Sequence, residues 1–221
     1  MKKTVLCFCL IAVLFCGGCV SRYDLKELRD ERADWVTEKI SFRYQNHIYR
    51  ILPVDTMSEI AVDEVDYDRK VAVADRNVPL MLLPNRGTWG NLTDNGAGAI
   101  FREEYYARED MYDTLRDAAI RKVFKTYFLP SDQTPRPVTD EMREMLRETL
   151  SGDVRIQTEK EVSRGEILRI RLSGDEYNEI AVILRDGKHY YKADLSLYGG
   201  EIYLMEIPEK YVPLIERICK G

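Results

Sequence analysis

Cysteine is scarce beyond the first residues of the chain. The sequence has 221 residues and five cysteines. Four of them are Cys7, Cys9, Cys16 and Cys19. Because only Cys219 follows, no disulfide can form within the rest of the chain, and folding must depend on packing. Cys219 is either a thiol that pairs with another chain or, with Ile215 and Ile218 at helical spacing, a small apolar residue on a terminal helix.

Groups that carry catalysis or bind metals are also few. The two histidines, His47 and His189, have no second histidine or cysteine at metal-ligand spacing, so no zinc site is predicted. No serine lies in a Gly-x-Ser-x-Gly elbow, and Gly96-Ala97-Gly98 lacks the third glycine and the lysine of phosphate-binding loops. The sequence therefore predicts no catalytic residue, no metal site and no cofactor.

An acidic run raises the question of a calcium site or a pair of catalytic carboxylates. Its members are Glu59, Asp63, Glu64, Asp66 and Asp68. The run lacks the glycine turn and the terminal glutamate of a calcium loop, and sequence cannot supply the carboxylate separation that glycoside hydrolysis requires. We expect a solvated charged loop here.

Runs of lysine or arginine are absent, and the formal net charge is -5. This balance excludes nucleic acid as an expected partner. Hydrophobic residues make up 45% of the chain and charged residues 32%, which is typical of a globular protein rather than a disordered one. The length favours one domain, or at most two small ones.

No hydrophobic run is long enough to cross a membrane. A bilayer core needs about 20 residues of helix, whereas the apolar run near the amino terminus covers only residues 5–15. It contains no charged residue or proline and follows Lys2 and Lys3. This pattern is typical of an export signal.

The end of this leader, Gly17-Gly18-Cys19, resembles the lipobox of bacterial lipoproteins. Cys16 stands where that family usually has leucine. The resemblance implies that residues 1–18 are a signal peptide cleaved after Gly18, and that Cys19 carries a diacylglyceryl thioether, often with a further acyl chain such as palmitate on the new amino terminus. Two chains hold a protein stably on a membrane. The alternative is an ordinary signal peptide cut near Gly18.

A lipobox implies an exported protein that is lipid-anchored to the bacterial cell membrane or outer membrane, with its folded domain outside the cytoplasm. Val20 is not the aspartate that retains some Gram-negative lipoproteins in the inner membrane. The expected partners are the membrane, through the lipid on Cys19, and a protein or a glycan.

Beyond the leader, we predict a tether or stalk helix over residues 19–38. Its apolar stripe includes Leu25, Leu28 and Trp35 at spacings of three and four. A single α+β domain is predicted over residues 39–221, with a candidate internal boundary at residues 130–137, where three prolines interrupt the pattern.

The periodicity within the domain changes between strand and helix. Alternation predicts a hairpin over residues 40–52, and helical spacing predicts helices over residues 112–127 and, capped by Thr139 and Gly152, over residues 139–152. The last third predicts a C-terminal antiparallel meander of about four strands, with residues 154–158 as a candidate preceding strand, and a closing helix with Pro213 in its first turn. The predicted fold class is α+β: an antiparallel sheet made of this meander and the N-terminal hairpins, with helices packed on one face.

A glycine-rich stretch, residues 84–98, is predicted to be a loop. Trp89, Asn91 and Asp94 are candidate ligand-binding residues there, because loops carry function more often than the elements they join. The alternative is a surface loop that binds nothing.

Two functions follow as expectations. The first is a non-catalytic binding or interaction domain on a membrane anchor, since the chain has 14 tyrosines and tyrosine is enriched at interfaces. The second is a hydrolase that acts on cell-envelope material with carboxylates near the glycine-rich loop, Glu103 and Glu104 among them.

Overall fold

The architecture is taken from a computed structural model. It describes residues 32–54, 65–74, 87–93, 96–101, 104–129, 131–158, 170–173, 181–195 and 201–220. The chain forms two seven-stranded sheets, of which one closes into a barrel and the other stays open. Three α-helices accompany them in this part of the chain, so the predicted α+β class is confirmed. The prediction of one sheet made of the meander and the N-terminal hairpins is wrong, because the hairpin strands close into a barrel of their own.

The barrel is built by the amino-terminal half of the described chain. Its strands are β1 (Arg32–Thr37), β2 (Ser41–Tyr44), β3 (His47–Ile51), β4 (Val65–Ala74), β5 (Gly87–Thr93), β6 (Gly98–Phe101) and β7 (Glu104–Arg108). They follow one another around the barrel in the order β1-β2-β3-β7-β6-β5-β4. All neighbours are antiparallel except β1 and β4, whose parallel pairing, with Arg32 opposite Ala72, closes the barrel.

The predicted hairpin over residues 40–52 is confirmed as β2 and β3. Gln45 and Asn46 connect them with φ values of 44° and 65°. Two consecutive left-handed residues define a type I′ turn, whose twist matches that of the two strands. This connection is called the β2–β3 turn below.

The helix predicted over residues 19–38 is wrong over its last part, because Arg32–Thr37 is strand β1. The backbone of this segment pairs with β2 and β4, and Trp35 packs against Phe42 and Phe101. Pairing on both sides and aromatic packing outweigh a helical spacing that rests on few apolar residues. Residues 19–31 lie outside the described residues.

The second sheet contains strands from the carboxyl-terminal half. They are β8 (Thr126–Leu129), β9 (Asp132–Pro137), β10 (Val154–Thr158), β11 (Ile170–Ser173), β12 (Ala181–Asp186), β13 (His189–Leu195) and β14 (Glu201–Glu206). Their order is β10-β14-β13-β12-β11-β8-β9, and all pairs are antiparallel. The meander β11 to β14 is as predicted.

The predicted count of about four strands is wrong, because three more strands extend the meander. The candidate strand at residues 154–158 joins one edge as β10, and the hairpin of β8 and β9 joins the other. The stretch predicted as a boundary, residues 130–137, therefore mostly belongs to edge strand β9. Pro135 and Pro137 are tolerated there because an edge strand needs only one row of backbone hydrogen bonds.

Three helices pack against the sheets: α1 (Tyr112–Val123), α2 (Asp140–Ser151) and α3 (Val212–Lys220). The predicted cap of α2 is confirmed, since Thr139 Oγ1 accepts a hydrogen bond from the Met142 amide at 3.3 Å. Pro213 lies in the first turn of α3, as predicted. The buried stripe of α2 is Met142, Met145, Leu146 and Leu150.

The two faces of the second sheet contact different surroundings. On one face, Ile183 and Met205 belong to the main core together with the helices and the barrel. The other face carries a separate buried cluster, made of Val182, Leu184, Ala193, Ile202 and Leu204. Alternation along the strands produces this division.

Candidate functional site

Two of the three candidate ligand-binding residues lie on a strand and not on a loop. Trp89 and Asn91 belong to strand β5, where Trp89 pairs with Ala72 and Asn91 pairs with Lys70 and Ile100. Asp94 lies outside the described residues. The loop predicted over residues 84–98 is thus wrong for residues 87–93, because pairing on both sides outweighs the poor strand propensity of glycine and asparagine.

The corner that follows β5 is held by several hydrogen bonds. The Gly96 amide donates to Thr93 O at 2.8 Å, and the Gly98 amide donates to Thr93 Oγ1 at 3.0 Å. The Tyr49 hydroxyl donates to Gly96 O at 2.8 Å. Gly96 has a φ of 67°, in the left-handed region that favours glycine. We call residues 96–98 the Gly96 corner.

Cationic side chains lie around the Gly96 corner. Arg108 donates from Nη1 to Gly96 O at 3.5 Å and from Nε to Asp110 Oδ1 at 2.6 Å. The second bond lowers the pKa of the Asp110 carboxyl. Burial raises the pKa of Tyr49, while the charges of Arg108 and Arg69 oppose that rise. The Tyr49 phenol thus stays protonated and serves as a donor that fixes the corner.

A second polar cluster lies between the barrel and the second sheet. At its centre is Lys192 of β13, whose side chain is fully buried. Its Nζ donates to Pro53 O, just beyond β3, at 2.6 Å, and it lies 5.6 Å from the centre of the Phe124 ring. Asp194 Oδ2 lies 3.9 Å from the same Nζ. These contacts connect the sheet to the barrel across 139 residues of sequence.

The electrostatics of Lys192 follow from its burial. Desolvation lowers the pKa of its ammonium group, and the charges of Asp194 and Glu104 counter that decrease. Burial thus favours the neutral amine, and the two carboxylates favour the charged form. Glu104 comes from β7 of the barrel, so the two sheets contribute opposite charges to one cluster.

Further contacts extend this cluster around the β1–β2 connection. Lys39 forms an ion pair with Glu201 at 2.6 Å, and the Tyr106 hydroxyl donates to Lys39 O at 2.9 Å. Tyr203 lies beside them, and burial strongly raises the pKa of its phenol, with Glu104 adding to the rise. We call Lys192, Asp194, Glu104, Tyr203 and the Lys39–Glu201 pair the junction.

The junction is arranged for cohesion rather than for substrate chemistry. The side chain of Lys192 has no exposed surface, and its amine already donates to a carbonyl. A nucleophile or a general base must reach a substrate atom. No local sequence pattern predicts this role, because a lysine that alternates with Tyr191 and Ala193 is typical of a solvent-facing strand position.

The remaining candidates have structural or surface positions. His47 is exposed at the start of β3, and His189 is exposed beside Glu206, with 2.8 Å between Nδ1 and Oε1. Asp66 lies on β4, so the predicted acidic loop is wrong there and at Asp68. The other three acidic residues, Glu59, Asp63 and Glu64, lie outside the described residues.

Cys219 lies on α3 and packs partly buried against the main core, the second of its two predicted roles. Burial raises the pKa of its thiol. Among the described residues, no group of histidine, cysteine, aspartate or glutamate is arranged to hold a metal ion. In the same part of the chain, no helix combines the length and the apolarity that membrane crossing requires.

Comparison with known proteins finds no relative of this chain. No protein-family model matches the chain, and neither the curated proteins nor the solved structures include a significant match.

Proposed function

We propose that this protein is an exported bacterial lipoprotein, anchored to the cell membrane or the outer membrane through Cys19. The observation that carries the proposal is the leader, in which a basic start and an apolar run end at Gly17-Gly18-Cys19. The position of the folded body supports it. Strand β1 begins at Arg32, so the barrel starts soon after the lipidated residue.

We further propose that the folded body is a non-catalytic binding module for a protein or a glycan. Two features of the described residues support this role. The buried lysine is engaged in the junction, and surface carboxylates are held in ion pairs, such as Glu148 with Lys210 and Glu141 with Arg217.

The anchor is tested by two matched cysteine variants. Cys19→Ala removes the thiol that would carry the lipid, whereas Cys16→Ala changes a cysteine three residues earlier in the same leader. Cells are fed labelled palmitate, and the protein is then partitioned between detergent and water. We expect label and detergent partitioning in the wild type and in Cys16→Ala, and loss of both in Cys19→Ala. Equal labelling of the two variants would contradict the proposal.

The binding role is tested against the hydrolase alternative. Glu104 is half-buried on β7 and close enough to Lys192 to affect its pKa, so Glu104→Gln removes a carboxylate of the junction that is partly exposed. We expect no hydrolysis of purified envelope glycans by either the wild type or this variant. Hydrolysis by the wild type that Glu104→Gln abolishes would overturn the binding module.

A further inference from the structure

The position of Arg32 shows where the chain joins the barrel. Asp34 of β1 pairs with Arg43 of β2, so Arg32, two residues earlier, lies level with the β2–β3 turn. His47 begins β3 at the same end of the barrel. Arg32, the first described residue, therefore lies at the barrel end that carries this turn, which we call the turn end.

The opposite end of the barrel contacts the second sheet. Lys39, in the connection after β1, pairs with Glu201 of β14, and Pro53, beyond the last residue of β3, accepts from Lys192 of β13. Arg50 near the end of β3 donates to Gly152 O, just before β10. These contacts spread over three neighbouring strands, so this end of the barrel rests on a face of the sheet.

The residues of the second sheet that face away from the barrel are identified by alternation. Lys192 faces the barrel, so Tyr191 and Ala193 face away. The ring of His189 lies 6.5 Å from that of Tyr191, on the same outer face. The two histidines of the chain thus occupy opposite sides of the body, with His47 at the turn end and His189 on the outer face of the sheet.

We propose that the turn end is the surface that faces the lipid bilayer, and that the outer face of the second sheet points away from it. This inference rests on the proposed lipid on Cys19. Thirteen residue steps from Cys19 to Arg32 span at most about 45 Å when fully extended, while a body of this size is ~40 Å across. Because the bilayer excludes the body, the point of attachment is on average its nearest part.

The chemistry of the turn end suits a headgroup layer rather than a hydrocarbon core. Gln45, Asn46 and His47 are all exposed and polar. Inserting such groups into hydrocarbon without partners would be costly, whereas the headgroup region offers water and charged groups as partners. The turn end would thus lie against the bilayer surface without entering it.

The experiment uses a matched pair of labels on the full-length lipidated protein. His47→Cys and His189→Cys are each made in a Cys219→Ser background, labelled with one fluorophore, and incorporated into phosphatidylcholine vesicles that carry an energy acceptor on the headgroups. Both positions are exposed and near the first residue of a strand, so labelling should leave the fold intact. Circular dichroism and intact mass serve as controls for folding and lipidation.

We expect roughly twofold more quenching at position 47 than at position 189, since the two sites should differ in height by about 25–30 Å, a large part of the body's diameter. Equal quenching, or stronger quenching at position 189, would overturn the inference while the lipid anchor stands. Failure of the lipid-dependent vesicle association itself, seen as equal binding by Cys19→Ala, would instead refute the proposed function, and this inference with it.

Discussion

The barrel and the junction bury their interiors by different means. Inside the barrel, Trp35, Phe101 and Tyr106 surround Phe42 with ring centres 5.3–6.1 Å away, and Tyr49 stacks on Phe42 at 5.0 Å. The junction instead contains a fully buried lysine and nearby carboxylates. Packed aromatic rings need no polar partner, whereas a buried amine depends on the polar groups around it.

Because of this difference, substitutions in the two regions should change the free energy of unfolding by different amounts. A closed barrel has no free edges, and its stability is shared among many apolar contacts. The connection between the barrel and the second sheet combines apolar contacts of the main core with a few buried polar groups. Removing one of these polar groups leaves the others buried without a partner. Polar changes at the junction should therefore cost more than most changes in the barrel wall.

The largest effect is expected from Lys192→Met. The substitution keeps the length of the side chain but removes the amine that lies near Asp194 and Glu104. Loss of one partner of a buried ionic cluster typically costs about 3–5 kcal/mol, and we expect a decrease of that size in the free energy of unfolding in urea. Lys188→Met, at an exposed turn position next to β13, is the control and should change stability by less than about 0.5 kcal/mol. Equal stability of the two variants would contradict the role of the junction.

The next effect concerns alkaline pH and Tyr112, where α1 meets the barrel and α2. Its hydroxyl donates to Leu150 O at 2.7 Å and lies 3.3 Å from Ile51 O. Burial raises the pKa of Tyr112 from 10.0 to about 12. Above pH 10 the unfolded chain therefore loses this proton before the folded protein does, and the stability that the neutral phenol provides is lost between pH 10 and 12.

This loss should amount to about 2–3 kcal/mol by pH 12, at 1.36 kcal/mol for each pKa unit. Tyr112→Phe cannot ionise, so the difference in unfolding free energy between the wild type and this variant should shrink as the pH rises from 10 to 12. Tyr127→Phe removes a phenol on β8 instead, and its unfolding free energy is measured over the same pH range for comparison. A constant difference between the wild type and Tyr112→Phe across that range would disprove the proposed linkage.

A smaller effect is expected in the barrel wall at Gly98. A Cβ atom at this position would lie 2.6 Å from Cζ of Tyr105 and closer still to its hydroxyl. Tyr105 is buried, so its ring cannot move into solvent without loss of packing. Gly98→Ala should destabilise the protein by about 1–3 kcal/mol through overpacking, as measured by the midpoint of urea unfolding.

A double-mutant cycle separates this overpacking from other causes. In a Tyr105→Ala background the ring is absent, so Gly98→Ala should cost almost nothing there, and the coupling should equal most of the single-mutant effect. Gly187→Ala is the matched control, because it has open space but a φ of 59°. Its cost, which comes from the backbone, should not depend on Tyr105. An additive cycle at Gly98 and Tyr105 would rule out the steric account.

Local features were predictable from the sequence, whereas long-range pairing was not. The β2–β3 turn, the Thr139 cap and the position of Pro213 each depend on a few neighbouring residues, and each was correct. Closure of the barrel depends on β1 pairing in parallel with β4, about 40 residues further along. No local pattern encodes such a pairing, and β1 was therefore predicted as helix.

The candidate sites show the same contrast between local sequence features and long-range packing. Composition drew attention to the segment around Gly96 as a binding site, which stays a prediction. The predicted loop is wrong for residues 87–93, because the strands on both sides pair with β5. Lys192 was missed because burial of a strand face depends on what packs on it. In this protein the barrel covers that face, and an alternating lysine lies in the interior.

The most direct test of the account is the mass of the mature amino terminus. The protein is purified from bacterial membranes in detergent, digested, and examined by tandem mass spectrometry. We predict that the first peptide begins at Cys19 and carries a diacylglyceryl group on its sulfur. A peptide that begins at Cys19 with an unmodified thiol, or a leader that remains attached, would contradict the lipid anchor on which the proposed function rests.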